Sequence, residues 1–336
     1  MERLSRRSFL AACAALGTAA FAGCKQEPPK DEGVLTNKVS FVLDYSPNVN
    51  HTGIYVAMEK GFFADEAIEV EIVPVPADGS DALIGTGGAH MGMTYQDYIA
   101  NSLASANPMP YTAVAAVVQH NTSGIMSRGK DGITRAKNME GHTYATWGMP
   151  VEQATIKQIV EADGGDYDKV ELVPYEVDDE VMGLQAGLFD TVWVYEWWAV
   201  QNANLQNYAV NYFSFADMDS VFDYYTPVIA ANDFFMQEHP ELVKGFLRAA
   251  KKGYEFAAAN PAEAAEILCK AVPELDSDLI YAAQASISPE YIADAASWGV
   301  IDPERWARFY RWLNDEGLVE NAFAPEAGFT NDFLEG

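Results

Sequence analysis

From residue 38 onward, short runs of β-branched and aromatic residues alternate with stretches whose apolar positions recur at helical spacing. Residues 39–44 read as a strand, 52–63 as a helix, 68–75 as a second strand and 80–85 as the start of another helix. Residues 91–95 and 111–118 continue the strands, and strands alternating with helices predict parallel α/β layers. After residues 124–127 the pattern restarts. Strands are expected at 143–147, 170–175 and 191–195, with helices at 151–163, 179–186 and 197–204. Residues 227–231 read as a strand leading back. From Asn232 on the chain reads as helical, with starts marked by Pro240, Pro261, Pro289 and Pro303. A chain that enters a second α/β layer and returns predicts two lobes, each an α/β sandwich, with a ligand cleft between them. The expected limits are 38–126 with 226–336 for the first lobe and 127–225 for the second, with hinges near 124–130 and 224–228. No solenoid repeat is present.

The first 24 residues follow a different pattern. Ser5-Arg6-Arg7-Ser8-Phe9-Leu10 is a twin-arginine export signature, residues 9–22 are apolar and Ala-rich, and Phe21-Ala22-Gly23-Cys24 ends them like a lipoprotein cleavage box. About 14 apolar residues fall short of the roughly 20 that span a bilayer. Residues 1–23 are therefore expected to be a removable signal, with Cys24 as the lipid-bearing first residue of the mature protein. Residues 24–37, polar and containing Pro28-Pro29, read as a tether. The expected location is extracytoplasmic, lipid-anchored on the outer face of a bacterial membrane.

The chain has 336 residues, of which 49% are apolar, enough for two domains with substantial cores. Its formal charge is −28; residues 1–23 carry a net +2, so the remainder stands at −30. Nucleic acid and anionic lipid surfaces are poor partners for such a body. Of three cysteines, Cys13 lies in the signal and Cys24 at the lipid site, which leaves Cys269 alone in a helical context as a small hydrophobe. The five histidines are scattered without HExxH or CxxC spacing, so neither metal nor cofactor is expected.

The segment Leu43-Asp44-Tyr45-Ser46-Pro47-Asn48-Val49-Asn50-His51-Thr52-Gly53, followed by Lys60-Gly61-Phe62-Phe63, resembles the opening of the thiamine-pyrimidine family of periplasmic-type binding proteins. Ile84-Gly85-Thr86-Gly87-Gly88, Gly183-Leu184-Gln185-Ala186-Gly187 and Asn232-Asp233-Phe234-Phe235 are similar to later parts of that family. The resemblance runs from about Lys38 to Pro273. The glycine segments and the last one are shared with nitrate and sulfonate receptors and speak for fold; residues 44–53 speak for ligand. The resemblance implies a type II periplasmic-binding fold, a pyrimidine ligand, an ABC permease and ATPase as partners, and a monomer.

In a two-lobed receptor, ligand sits where strand ends and helix starts face the cleft. Asp44, Tyr45, Asn48 and His51 follow the first strand, and Tyr95 and Gln96 hold the equivalent place later. Trp147, Glu152, Tyr195, Glu196 and Trp197 do so in the second lobe, and Tyr225 lies at the return crossing. Aromatic rings can sandwich a flat heterocycle, and a carboxylate such as Glu196 can accept its amino hydrogens, more strongly if the adjacent ring nitrogen is protonated. Asn48, His51 and Gln96 offer further hydrogen bonds. None of these segments contains Arg or Lys, which argues against nitrate or sulfonate. Competing roles accompany several of these residues. Trp193 is assigned to packing, with Tyr195 facing the cleft; at most one of Trp197 and Trp198 reaches ligand. Glu152 also suits the first turn of a helix, and Tyr224 and Tyr225 suit hinge packing.

Three functions follow: a pyrimidine receptor, a receptor for another solute such as riboflavin, a sulfonate or nitrate, and an enzyme of the fungal pyrimidine-synthase kind. The last branch carries a cysteine-rich segment, whereas residues 218–227 here hold no Cys and His51 stands alone. A non-enzymatic receptor is the expected class, with Glu196→Gln and Tyr45→Ala expected to weaken pyrimidine binding.

Overall fold

The computed structural model describes residues 37–77, 79–175 and 179–334. The expected signal, Cys24 and all of the tether except Asn37 lie outside the described residues.

Ten strands are found among the described residues: β1 Lys38–Val42, β2 Glu69–Val73, β3 Met91–Thr94, β4 Tyr111–Ala116, β5 Ser123–Arg128, β6 Thr143–Thr146, β7 Glu171–Pro174, β8 Thr191–Tyr195, β9 Val210–Ser214 and β10 Val228–Asn232. They form two five-stranded sheets, ordered β2-β1-β3-β10-β4 and β7-β6-β8-β5-β9. The two orders are the same pattern written twice. In each sheet four strands come from one lobe's own run, and the fourth place is taken by a strand arriving from the other lobe.

The expected parallel pairing holds for three strands of each sheet, and the borrowed strand departs from it. β1 is parallel to β2 and β3, but β10 is antiparallel to both β3 and β4. β6 is likewise parallel to β7 and β8, while β5 is antiparallel to β8 and β9. A chain entering a sheet directly from the neighbouring lobe, without a helical crossover, arrives in the opposite sense.

β5 and β9 were not anticipated as strands, because SGIMSR and VNYFS carry weak or mixed strand signals. β5 is nonetheless a buried inner strand. A Cβ on Gly124 would run into the Phe213 carbonyl, so only glycine lets β9 lie this close. The expected lobe boundary at 126/127 falls inside β5, whose pairing places residues 123–128 in the second sheet. The crossings are residues 117–122 and 223–227.

The helix expected at 52–63 is two pieces, Thr52–Glu59 and Phe62–Asp65, separated at Gly61, whose φ of 76° ends the first. Pro240, Pro261 and Pro303 do open helices, Pro240–Ala259, Pro261–Ala271 and Pro303–Asp315, at the first-turn position that needs no N–H donor. Pro289 instead sits in a 3-10 turn, Ser288–Tyr291, that continues helix Ser277–Ile287.

The first sheet is covered on both faces. Val39 and Phe41 project toward Phe246, Leu247 and Tyr254 of the long Pro240–Ala259 helix, and Val42, Ala113 and Ala230 project toward Trp306, Phe309 and Tyr310 of the last helix. Cys269 is partly buried at the rim of the former cluster, as its helical context suggested. The open edge of β4 is closed by the C-terminal segment, with the Ala113 amide donating to the Gly328 carbonyl at 2.9 Å and the Thr330 amide donating to that of Ala113 at 2.9 Å.

Candidate ligand-binding cleft

A cleft of about 950 Å³ opens between the lobes. Its first-lobe wall comes from helices Ser80–Gly85 and Gln96–Ala104, its second-lobe wall from β8 and the starts of helices Pro150–Ala162 and Glu180–Ala186, and its floor from the return crossing. Six rings line it: Tyr95, Tyr98, Trp147, Trp193, Tyr195 and Tyr224.

The rings are held in place by one another. Tyr95 meets Tyr98 edge-on at 5.1 Å, Trp147 meets Trp193 edge-on at 5.4 Å, and Trp193 leans on Phe215 at 4.1 Å. Tyr224 stacks on Phe309 at 4.0 Å, and the Tyr195 hydroxyl lies 3.1 Å from Thr226 Oγ1, tying β8 to the crossing. Such pairing fixes the ring faces before any ligand arrives.

Behind Tyr95 stands a buried relay. The Asn48 amide donates to His51 Nδ1 at 2.9 Å, which leaves the ring proton on Nε2, and Nε2 donates to Asp44 Oδ1 at 2.6 Å. The Tyr95 hydroxyl donates to the other Asp44 oxygen at 2.6 Å. Asp44 and His51 therefore aim Tyr95 and do not themselves line the cleft. Asn48 caps the turn Val49–His51, accepting from the Asn50 amide at 2.9 Å.

Four carboxylates line the cleft, and each occupies the first turn of a helix that begins there: Asp81 in Ser80–Gly85, Asp97 in Gln96–Ala104, Glu152 in Pro150–Ala162 and Glu180 in Glu180–Ala186. The partial positive charge of each helix start is thus met by the protein's own acid. Burial pushes Asp97 up to about 6 and raises Asp81 and Glu180 as well. Glu152 is 2% exposed. Its Oε2 accepts from the Thr146 hydroxyl at 2.9 Å and the amides of Gly148 and Met149 at 3.1 and 3.2 Å, while Oε1 has no partner. No Lys, Arg or His lines the cleft among the described residues.

Of the residues expected from sequence, the structure brings Tyr95, Trp147, Glu152 and Tyr195 together. The others lie elsewhere. Tyr45 is 70% exposed and outside the cleft lining. Gln96 is fully buried, donating to the Trp306 carbonyl at 2.9 Å and accepting from the Tyr225 amide at 2.9 Å. Tyr225 turns away from the cleft and its hydroxyl accepts from the Asp302 amide at 2.8 Å. Trp197 is buried in the first-lobe core cluster, with Trp198 packed beside it, so neither lines the cleft. Glu196 points to the far side of the hinge, where it accepts from Gln201 at 2.8 Å and from the Ser286 hydroxyl of the other lobe at 2.6 Å.

Trp193 corrects the expectation in the opposite direction. Residues two apart on a strand share a face, so Trp193 joins Tyr195 on the cleft wall rather than the core. Asp97 and Tyr98 were missed although they follow Tyr95 in the same helix start; the signal was the first helical turn itself, one or two residues beyond the strand end.

Residues 48–264 match the family described as NMT1/THI5 like. The formylaminopyrimidine-binding protein of Halalkalibacterium halodurans is 29% identical over 318 residues, covering 92% of this chain and 94% of that one. The 4-amino-5-hydroxymethyl-2-methylpyrimidine phosphate synthase of Legionella pneumophila is 25% identical over 313 residues, covering 89% and 93%. Among solved structures, the periplasmic aliphatic sulphonate binding protein SsuA of Escherichia coli superposes with a TM-score of 0.68 at 14% identity, covering 89% of this chain and 94% of that one. That likeness is one of fold: the two-lobed type II architecture of periplasmic binding proteins.

Proposed function

We propose a function on the ground that this chain belongs to the NMT1/THI5-like family: it is a solute receptor that captures a thiamine pyrimidine precursor, of the formylaminopyrimidine or hydroxymethylpyrimidine type, and passes it to an ABC permease and its ATPase. The observation that carries this reading is the lining of the cleft, six aromatic rings and four carboxylates with no cation among the described residues. Paired rings grip a flat heterocycle by its faces, and the carboxylates accept its amino hydrogens. A nitrate or sulfonate asks for the reverse. Helix starts are ready anion sites, but here an acid already occupies each one.

The receptor reading is preferred to the synthase reading on His51. That ring is fully buried and committed at both nitrogens, to Asn48 and to Asp44, with Tyr95 between it and the cleft. The lobes close by rotation about residues 117–122 and 223–227, and ligand contacts made from both walls favour the closed state. Cys24 is proposed to carry the lipid that keeps this trap beside its transporter; Cys24→Ser then moves the protein from the membrane to the soluble fraction.

Calorimetric titration with formylaminopyrimidine, taurine and nitrate tests the ligand. Tight binding of the pyrimidine alone is expected. Tight binding of either anion, with none of the pyrimidine, defeats the proposal. Mass spectrometry of copurifying small molecules separates a pyrimidine from riboflavin.

A further inference from the structure

We infer that the cleft takes its heterocycle as a cation: an aminopyrimidine binds with one proton more than it carries in solution, its protonated ring nitrogen and adjacent amino group paired with the Asp97 carboxylate. The inference rests on the pyrimidine reading above and adds the charge state to it.

Among the described residues no cationic side chain stands against the carboxylates of the cleft. Asp81, Asp97 and Glu180 line the cleft with no side-chain hydrogen-bond partner among the described residues, whereas Glu152 is almost wholly buried, its Oε2 held by Thr146, Gly148 and Met149 and its charge facing the Tyr144 hydroxyl. Asp97 is held only by the amides of its own first turn, whose help is outweighed by burial. The groups around it offer no positive charge. Tyr98 of its own helix, Tyr111 of β4, Tyr195 of β8, Tyr224 of the crossing and Tyr310 of the last helix all sit close enough for the Asp97 charge to raise their pKa values. Asp81 faces Tyr98 and Tyr111 from the neighbouring helix and is itself an acid. Across the cleft stand Glu152 and Glu180.

Closing the lobes over this surface strips water from several carboxylates at once. Stripping water from carboxylates that have no counter-cation is strongly unfavourable, so a neutral ligand opposes closure where a monocation favours it. An aminopyrimidine supplies the cation without any other partner. Protonation of the ring nitrogen beside the amino group spreads charge over both nitrogens and presents two parallel N–H donors, the geometry in which a guanidinium pairs with a carboxylate. The ring is a weak base, mostly unprotonated in neutral water, so the proton comes from solvent as the complex forms. With burial holding free Asp97 near 6, affinity peaks in mildly acid solution. Below that range free Asp97 is protonated; above it the complex must gather a proton from an ever scarcer supply.

The test is calorimetric titration of the full chain with formylaminopyrimidine at pH 8, in phosphate and in Tris, whose ionisation enthalpies differ widely. Close to one proton taken up per ligand is expected, with Kd rising about tenfold per pH unit between pH 7.5 and 9. In the complex, a 15N-labelled ring nitrogen takes the chemical shift of the protonated ring. Asp97→Asn weakens binding at least tenfold at pH 7, whereas Glu196→Gln does not. Tight pyrimidine binding with no proton uptake overturns the inference and leaves the receptor reading standing. Tight, pH-independent binding by Asp97→Asn also overturns it, because the proton then belonged to Asp97. No pyrimidine binding at any pH removes the receptor reading, and this inference with it.

Discussion

At Trp147 the side chain is 53% exposed and rests edge-on against Trp193, so it contributes to the cleft far more than to the core. Trp147→Ala is expected to weaken formylaminopyrimidine binding roughly 5- to 150-fold, the effect of about 1–3 kcal/mol per stacked base, with little change in unfolding midpoint. Titration calorimetry and denaturant melts on the same variant check both halves. Glu196→Gln and Tyr45→Ala, which the sequence alone marked as damaging, are expected to leave affinity within about twofold, since neither residue lines the cleft. Asp97 supplies a prediction of opposite sign for stability. Its carboxyl is raised by burial from 3.8 to about 6, so folding favours the protonated form: that stability is fully present below about pH 4 and is lost as pH rises through about 6. Asp97→Asn should therefore be more stable than the parent by about 1–3 kcal/mol at pH 8 and equal to it near pH 4. Urea unfolding across that range measures it, and a flat difference would show that Asp97 is not strained. A gain in stability with a loss of binding is what a carboxylate kept for ligand produces.

At the scale of elements, helix Thr52–Glu59 packs on helix Pro240–Ala259 at a glycine crossing. A Cβ on Gly253 would run into the Gly53 carbonyl, and one on Gly53 into the Tyr254 ring. Tyr254 in turn donates to the Asn50 carbonyl at 2.7 Å and stacks on Trp298 at 4.5 Å, so the crossing seats the turn that carries Asn48 and His51. Gly253→Ala is expected to cost about 1–3 kcal/mol, the usual penalty of overpacking against groups that cannot retreat, seen as a lower unfolding midpoint. Most elements here were legible from pattern. β1 through β4, β6, β7, β8 and β10 all fall within or overlap the expected runs, since period-2 alternation and β-branched content are local properties. β5 and β9 were not, because a strand such as SGIMSR is made by its neighbours: Gly124 has low strand preference of its own and is required only once β9 lies against it. The side chains of the strand ends were legible in kind and not in direction. Tyr195 and Glu196 are adjacent, yet the first faces the cleft and the second faces Ser286, because a π-helix opens at Glu196 and turns the chain there.

For the whole molecule, ligand that bridges both walls must stabilise the folded state. Formylaminopyrimidine at about 100 times its Kd adds about 2.7 kcal/mol and is expected to raise Tm by roughly 4–8 °C, with taurine and nitrate leaving it unchanged in the same thermal melt. Small-angle scattering should show a smaller radius of gyration on pyrimidine binding, as the lobes turn about the two crossings. Two lobes, an α/β composition, an acidic body and a strand returning near residue 228 could all be read from the order of residues, because each depends on neighbours in the chain or on a sum over it. The aromatic and acidic character of the cleft was readable too, at Tyr95, Trp147, Glu152 and Tyr195. Folding in three dimensions settled the rest: the borrowed antiparallel strand in each sheet, the retirement of Gln96, Trp197 and Tyr225 into packing, and the meeting of four helix starts with four acids. These depend on which residues from distant segments come to share one space. Asp97 and Glu180 lie 83 positions apart and acquire a common role only when two lobes set them across the same cleft.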